Sequence, residues 1–144
     1  MYYLDIGNDK ESGQCLLGTA FDVVGLRGAF STAGICSALP SPLHQDPTLR
    51  DPKPEEQADQ SRLSCVELAL LNLQSPAINS VMASIAAEYV WALLVTGGLK
   101  RFATFVSLRH GSMQSSWTTP EQVAHSVQLE PQFFVKNRTR SSGA

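Results

Sequence analysis

Ser75-Pro76-Ala77-Ile78-Asn79-Ser80-Val81-Met82-Ala83-Ser84-Ile85-Ala86-Ala87-Glu88-Tyr89-Val90-Trp91-Ala92-Leu93-Leu94-Val95-Thr96-Gly97-Gly98 is the clearest structural signal in this chain. Pro76 follows a serine cap and suits the first helical position, where a missing N–H costs nothing. Gly97 and Gly98 supply the left-handed stop. Between them Val81, Ile85, Tyr89 and Leu93 recur at helical spacing, as do Met82, Ala86, Val90 and Leu94. Apolar residues cover most of the circumference, so the helix is expected to be buried on several sides. Ala83, Ala86 and Ala87 would let another element approach closely. The length would just span a bilayer. Glu88, though, stands mid-helix, where a carboxylate costs about 3 kcal/mol, so a core helix of a soluble protein is the reading taken.

A shorter helix precedes it. Ser64-Cys65-Val66-Glu67 has the form of a capping box, with Ser64 at the N-cap and Glu67 reaching back, and Leu63 and Leu68 available as a hydrophobic staple. The helix is expected to end near Gln74. Upstream, Tyr2–Ile6 and Gln14–Val24 read as strands joined by the glycine- and Asx-rich turn 7–13. Downstream, Phe102–Leu108 and Met113–Thr118 read as a second strand pair around the turn 109–112. From Pro120 onward the chain reads as weakly structured, with a short helix at Glu121–Val127 and a basic tail over 121–144.

Residues 25–62 form a long connection. Five of the eight prolines lie between Pro40 and Pro54, and eight charged residues follow from Asp46 to Arg62. Such a loop either crosses and covers a surface or is a loose insertion. The order strand, strand, helix, helix, strand, strand suits an α+β unit, or the second half of a larger α/β protein.

The 144 residues make one domain, with 43% hydrophobic and 17% charged side chains, which excludes wholesale disorder. A net charge of -2 offers no global attraction for nucleic acid or an anionic membrane. The charge is uneven: residues 1–99 hold five basic and eleven acidic side chains, and residues 100–144 six and two. The basic end is a solvated tail or an arm for a polyanion. Three cysteines cannot all pair, and the N-terminus has no signal-peptide form. Cys15, Cys36 and Cys65 are therefore expected to be free thiols in a reducing cytoplasm. No cysteine or histidine spacing suits zinc. No glycine-rich phosphate loop, nucleophile elbow or metalloprotease helix occurs. Asp5 and Asp22 are strand carboxylates without a recognisable partner.

Cys65 is the one chemically pointed residue. In the first turn after an N-cap, the helix dipole and free N–H groups favour the thiolate, as an acyl-accepting nucleophile requires. The other reading is a small apolar side chain tucked under the loop. A free-standing cysteine enzyme would need a histidine, and none of His44, His110 and His125 is obviously placed.

Ser64-Cys65-Val66-Glu67-Leu68-Ala69, then Pro76-Ala77-Ile78-Asn79 and the apolar helix, then Phe102 to Met113, resembles the C-terminal half of the ThiF/MoeB/HesA adenylyltransferases, relatives of ubiquitin-activating enzymes. Tyr3-Leu4-Asp5-Ile6-Gly7-Asn8 and Ser12-Gly13-Gln14-Cys15-Leu16-Leu17-Gly18 are similar to the ThiF-family protein of the plasmid- and phage-associated PRTRC system. The resemblance spans residues 2–120. It implies half of a Rossmann-like, usually dimeric fold that uses ATP and Mg²⁺ to adenylate the C-terminal glycine of a ubiquitin-like β-grasp protein. It also places Cys65 where several members carry an acyl-accepting cysteine. The family's nucleotide loop, catalytic arginine and lysine, and metal-binding aspartate belong to its N-terminal half, so this chain is expected to bind no cofactor alone. The expected partners are a β-grasp protein and either a second copy or the missing half. The alternative is a non-catalytic module that docks such a partner.

Overall fold

The computed structural model describes residues 1–19, 22–31, 33–51, 66–67 and 75–136. Strands β1 (Tyr2–Asn8) and β2 (Ser12–Thr19) form a hairpin. Strands β3 (Arg101–Ser107) and β4 (Ser112–Trp117) form another. The four make one sheet in the order β1-β2-β3-β4, antiparallel throughout. Both expected strand pairs are present, and the architecture is mixed α and β.

Helix α1 (Pro42–Gln45) is one turn in the first connection, and α2 (Pro76–Trp91) is the long helix. Helices α3 (Pro120–Ser126) and α4 (Pro131–Phe134) follow the sheet. All four, and the 3-10 turn Pro47–Arg50, begin with proline. Two prolines of the connection, Pro42 and Pro47, thus serve as helix starts. The serine before Pro76 caps α2, its Oγ accepting from the Ala77 N–H. A π turn at Ala92–Thr96 ends in Gly97 at φ 65, so the expected left-handed stop is present.

The sheet has two covered faces. A Cβ on Gly13 would meet Met82 of α2, whereas one on Gly18 would meet the Pro40 carbonyl and Ser41 beside α1. These glycines are five residues apart and so point to opposite faces. Helix α2 therefore covers one face and the 39–45 segment the other. That is why Cys15 through Thr19 are all buried, on both sides of β2.

Three expectations need correction. First, α2 buries Ile78, Met82, Ile85 and Tyr89, a single stripe, while Val90, Trp91, Leu94 and Val95 are exposed. Among the described residues it is covered on one side only. Pro76–Thr96 is the one described helix long and apolar enough to cross a membrane, and 22% of its most apolar stretch is buried. Second, residues 22–51 are not irregular filler. Leu26, Ala29, Phe30, Ala38 and Leu39 enter the core, and Asp22 accepts from the Gly25 N–H to cap a 3-10 turn at Val24–Leu26. Third, the chain after Pro120 is built into the same core, through Val123, Ala124 and Phe134. Phe30 N–H donates to the Phe134 carbonyl at 2.7 Å, and Lys136 N–H to the Phe30 carbonyl at 3.1 Å. The basic residues Arg138 and Arg140 lie outside the described residues.

Candidate functional site

The 39–51 segment lies across the sheet face opposite α2. Thr19 N–H donates to the Leu39 carbonyl at 3.1 Å, and the Thr19 hydroxyl to the same carbonyl at 2.6 Å. Gln45 Nε2 donates to the carbonyls of Leu17 and Pro40, each at 2.8 Å. Asp46 then caps the next turn, accepting from the Thr48 N–H at 3.0 Å and its hydroxyl at 2.6 Å. This seam holds the chain over β1 and β2 and roofs a cleft of about 510 Å³.

Asp5, Asp9, Asp46 and Asp51 line that cleft together with Gln14, and Phe105 closes one wall; no lysine or arginine lines it among the described residues. Four carboxylates repel a phosphate and favour a cationic or neutral polar group. Asp5 is thus at the cleft, but Asp22 is absent from its lining and is occupied as a cap. The two are not a catalytic pair. Among the described residues no group of three or more histidine, cysteine or acidic side chains could hold a metal ion.

Cys65 and its cap Ser64 lie outside the described residues, as do Leu63 and Leu68 of the expected staple. Of that helix, Val66 and Glu67 are described, helical and exposed. The other two cysteines are free thiols. Burial pushes the Cys15 thiol up to about 11, offset in part by the Arg101 charge, and burial likewise raises Cys36. Neither is an activated thiolate. His44 Nδ1 meets the Ser41 hydroxyl and His110 Nδ1 the Ser107 hydroxyl, each at 2.9 Å and three residues away. These are local turn contacts.

A second cluster was not legible in the sequence. Tyr89 of α2 shares a hydrogen bond with Thr104 of β3 at 3.0 Å, and Thr104 another with Ser115 of β4 at 3.1 Å. Arg101 pairs with Glu88, and its guanidinium lies 5.5 Å over the Tyr89 ring. Strict alternation would put Arg101 and Thr104 on opposite faces. A bulge between Arg101 and Ala103 returns both to the helix side. Beside them a groove of about 410 Å³ is rimmed by Trp91 and Trp117, the two tryptophans of the chain.

No family model, curated protein or solved structure matches this chain.

Proposed function

We propose that this chain is the C-terminal portion of a ThiF-type adenylyltransferase acting on the C-terminus of a ubiquitin-like protein, with ATP and Mg²⁺ bound by a separate nucleotide-binding half. One observation carries the reading beyond the sequence resemblance: the long connection is seamed across the sheet face and roofs a cleft. A crossover segment over an adenylate needs that placement. Cys65 follows that connection in the sequence, and its role is acceptance of the activated carboxyl. The four cleft carboxylates repel phosphate, so the phosphates must be held by the other half. The protein works in the cytoplasm in this reading.

The test is ATP–pyrophosphate exchange. This chain alone gives none. With a separately expressed ThiF-type nucleotide-binding half and a β-grasp protein, exchange appears. Cys65→Ala keeps the exchange and abolishes a thioester-linked adduct. Exchange by the isolated chain, or none with any such half, overturns the reading. The alternative, a module that docks a β-grasp or ThiF-type partner without chemistry, is favoured by the outer edge of β1, which pairs with no other strand among the described residues. It predicts capture of that partner without ATP.

A further inference from the structure

We infer that the open end of the β3–β4 hairpin carries a binding site for a long-chain carboxylate, that is, a fatty acid. Its tail fills an apolar pocket and its carboxylate rests between Thr118 and Lys100. The site shares no residue with the 510 Å³ cleft and does not involve Cys65, so it does not depend on the adenylyltransferase reading.

A pocket of about 430 Å³ opens between the first connection, Tyr2 of β1 and the turn that ends the long helix. Small-molecule sites run from about 300 to 1,000 Å³. Ile35, Leu39, Leu93 and Leu99 give it apolar walls, and no charged side chain lines it among the described residues. The Cys36 thiol also lines it but is engaged, donating to the Ala38 carbonyl at 3.0 Å. Thr118 is different. It lines the pocket, and its hydroxyl is buried with no hydrogen-bond partner among the described residues. A buried hydroxyl left so is costly. One rotation about Cα–Cβ exchanges it with the methyl group and offers its proton to an acceptor in the pocket. A pure hydrocarbon would leave it unpaired, so the ligand carries an oxygen at this end.

The second group at that end is a cation. The Thr118 N–H donates to the Lys100 carbonyl at 2.8 Å, so the two residues stand side by side across the hairpin. Lys100 is exposed and forms no ion pair among the described residues. It lines the neighbouring groove of about 410 Å³. The other charges of that groove, Arg101 and Glu88, neutralise each other as a pair. The groove therefore keeps a net positive charge and favours an anion. One hydroxyl and one ammonium beside an apolar pocket suit a single carboxylate on an apolar chain.

Gly98 and Leu99 line both the pocket and the groove, so the two meet there. Gly97, at φ 65, makes the helix stop, whereas Gly98 has no positive φ. A Cβ on Gly98 would meet nothing nearer than the Thr96 carbonyl at 4.0 Å. Neither the backbone nor the packing calls for a glycine at this position. Its missing side chain keeps the crossing between groove and pocket open. The groove is then the entrance, flanked by Trp91 and Trp117, which are 61% and 50% exposed. An indole offers an apolar face to the chain and an N–H to its head. The pocket is the interior, and Ile35 on its wall is 69% exposed, apolar area that the tail covers.

The experiment titrates the full chain with oleate and follows tryptophan emission, which Trp91 and Trp117 alone supply. The expected result is saturation at one oleate per chain, with a blue shift as the indoles lose water. Thr118→Val, the same in shape, weakens oleate about tenfold. Lys100→Gln weakens it about threefold, and high salt erases that difference. Oleyl alcohol, with the same tail and no charge, binds about tenfold more weakly or worse. Gly98→Leu fills the crossing and abolishes binding, with the circular dichroism spectrum and thermal midpoint unchanged. No saturable binding of oleate overturns the inference. So does oleyl alcohol binding as tightly as oleate, or oleate binding to Thr118→Val or Gly98→Leu as it does to the wild type. Equal binding of wild type and Gly98→Leu to phosphatidylcholine vesicles, with no uptake of free oleate, overturns it in favour of a bilayer contact.

Discussion

Among the described residues, Cys15 beneath α2 and Tyr89 on its buried face are the two ionisable side chains that folding places deepest, at 0% and 2% exposure. Burial opposes the charged form of each. The Cys15 thiol moves from its ordinary 9.0 to about 11, and the Tyr89 phenol from 10.0 to about 12, its bond to Thr104 resisting the shift. Both groups are neutral in the folded chain until those higher values are reached. Between 9.0 and about 11 the unfolded chain therefore gives up a proton that folded Cys15 retains. Between 10.0 and about 12 the same holds for Tyr89. The unfolded state then binds fewer protons, so stability falls as pH rises through that window and is fully present below 9.0. The urea midpoint is expected to be level up to pH 9.0 and to drop steadily above it. Cys15→Ala removes the earlier part of the drop and leaves the later one. A midpoint unchanged up to pH 12 would show that these groups are not buried as described. The sequence could list both side chains, but not their burial, because that depends on α2 packing over β2. Cys65 is the reverse case. Its expected reactivity rests on a local cap signal, which needs no tertiary contact to be read.

At the scale of elements, β2 explains both what the sequence revealed and what it hid. Gly7 and Gly13 read as turn residues because glycine usually punctuates. In the fold both lie inside strands, and the turn is only Asp9 to Glu11. Gly13 is needed beneath α2 and Gly18 beneath Pro40 and Ser41. A glycine in a strand marks a close approach of another element as often as a bend, and one sequence cannot say which. The two positions predict different costs. A Cβ at Gly18 would lie 2.1 Å from the Pro40 carbonyl oxygen and 2.7 Å from the Ser41 Cα, both backbone. A Cβ at Gly13 would lie 2.6 Å from the Met82 sulfur, the flexible end of a side chain. Gly18→Ala is expected to cost about 3 kcal/mol or more and Gly13→Ala about 1 kcal/mol. Denaturant titrations of the two variants check this, and equal costs would mean that the 39–45 segment yields as easily as a methionine. The helix and strand cores were legible because periodicity, proline starts and the Gly97 stop are local signals. The end of β2 at Thr19 was not, since it is set by a hydrogen bond to Leu39, twenty residues on.

For the whole molecule, the decisive feature is that the C-terminal end of the described chain meets the segment after β2 around Phe30. Residue Phe30 accepts from the Lys136 N–H and donates to the Phe134 carbonyl, and the Gly28 N–H donates to the Phe133 carbonyl at 2.9 Å. Arg27 lies 4.7 Å over the Phe133 ring, which meets Phe134 edge-on. Phe134 is wholly buried, as are Val123 and Leu26. The sequence reads this stretch as a weakly structured basic tail with one short helix, because its apolar residues are few and its helices short. Their burial comes from packing against a loop of equally weak local signal, and neither segment shows its role without the other. The strong local patterns gave the sheet and α2, whereas this second layer comes from long-range pairing. Truncating Phe134 removes a large ring from a filled site and leaves a cavity, at about 3–5 kcal/mol. That is a large share of the roughly 5–15 kcal/mol by which domains of this size are stable. Phe134→Ala is therefore expected to lower the thermal midpoint by at least about 10 °C, at 4–8 °C per kcal/mol for a smaller domain and somewhat less here. A chain cut after Thr119 loses Val123 and Ala124 as well and is expected not to fold. Thermal melts followed by circular dichroism separate the cases. A cut chain that melts cooperatively near the wild-type midpoint would show that residues after Thr119 are an appendage to a core complete without them.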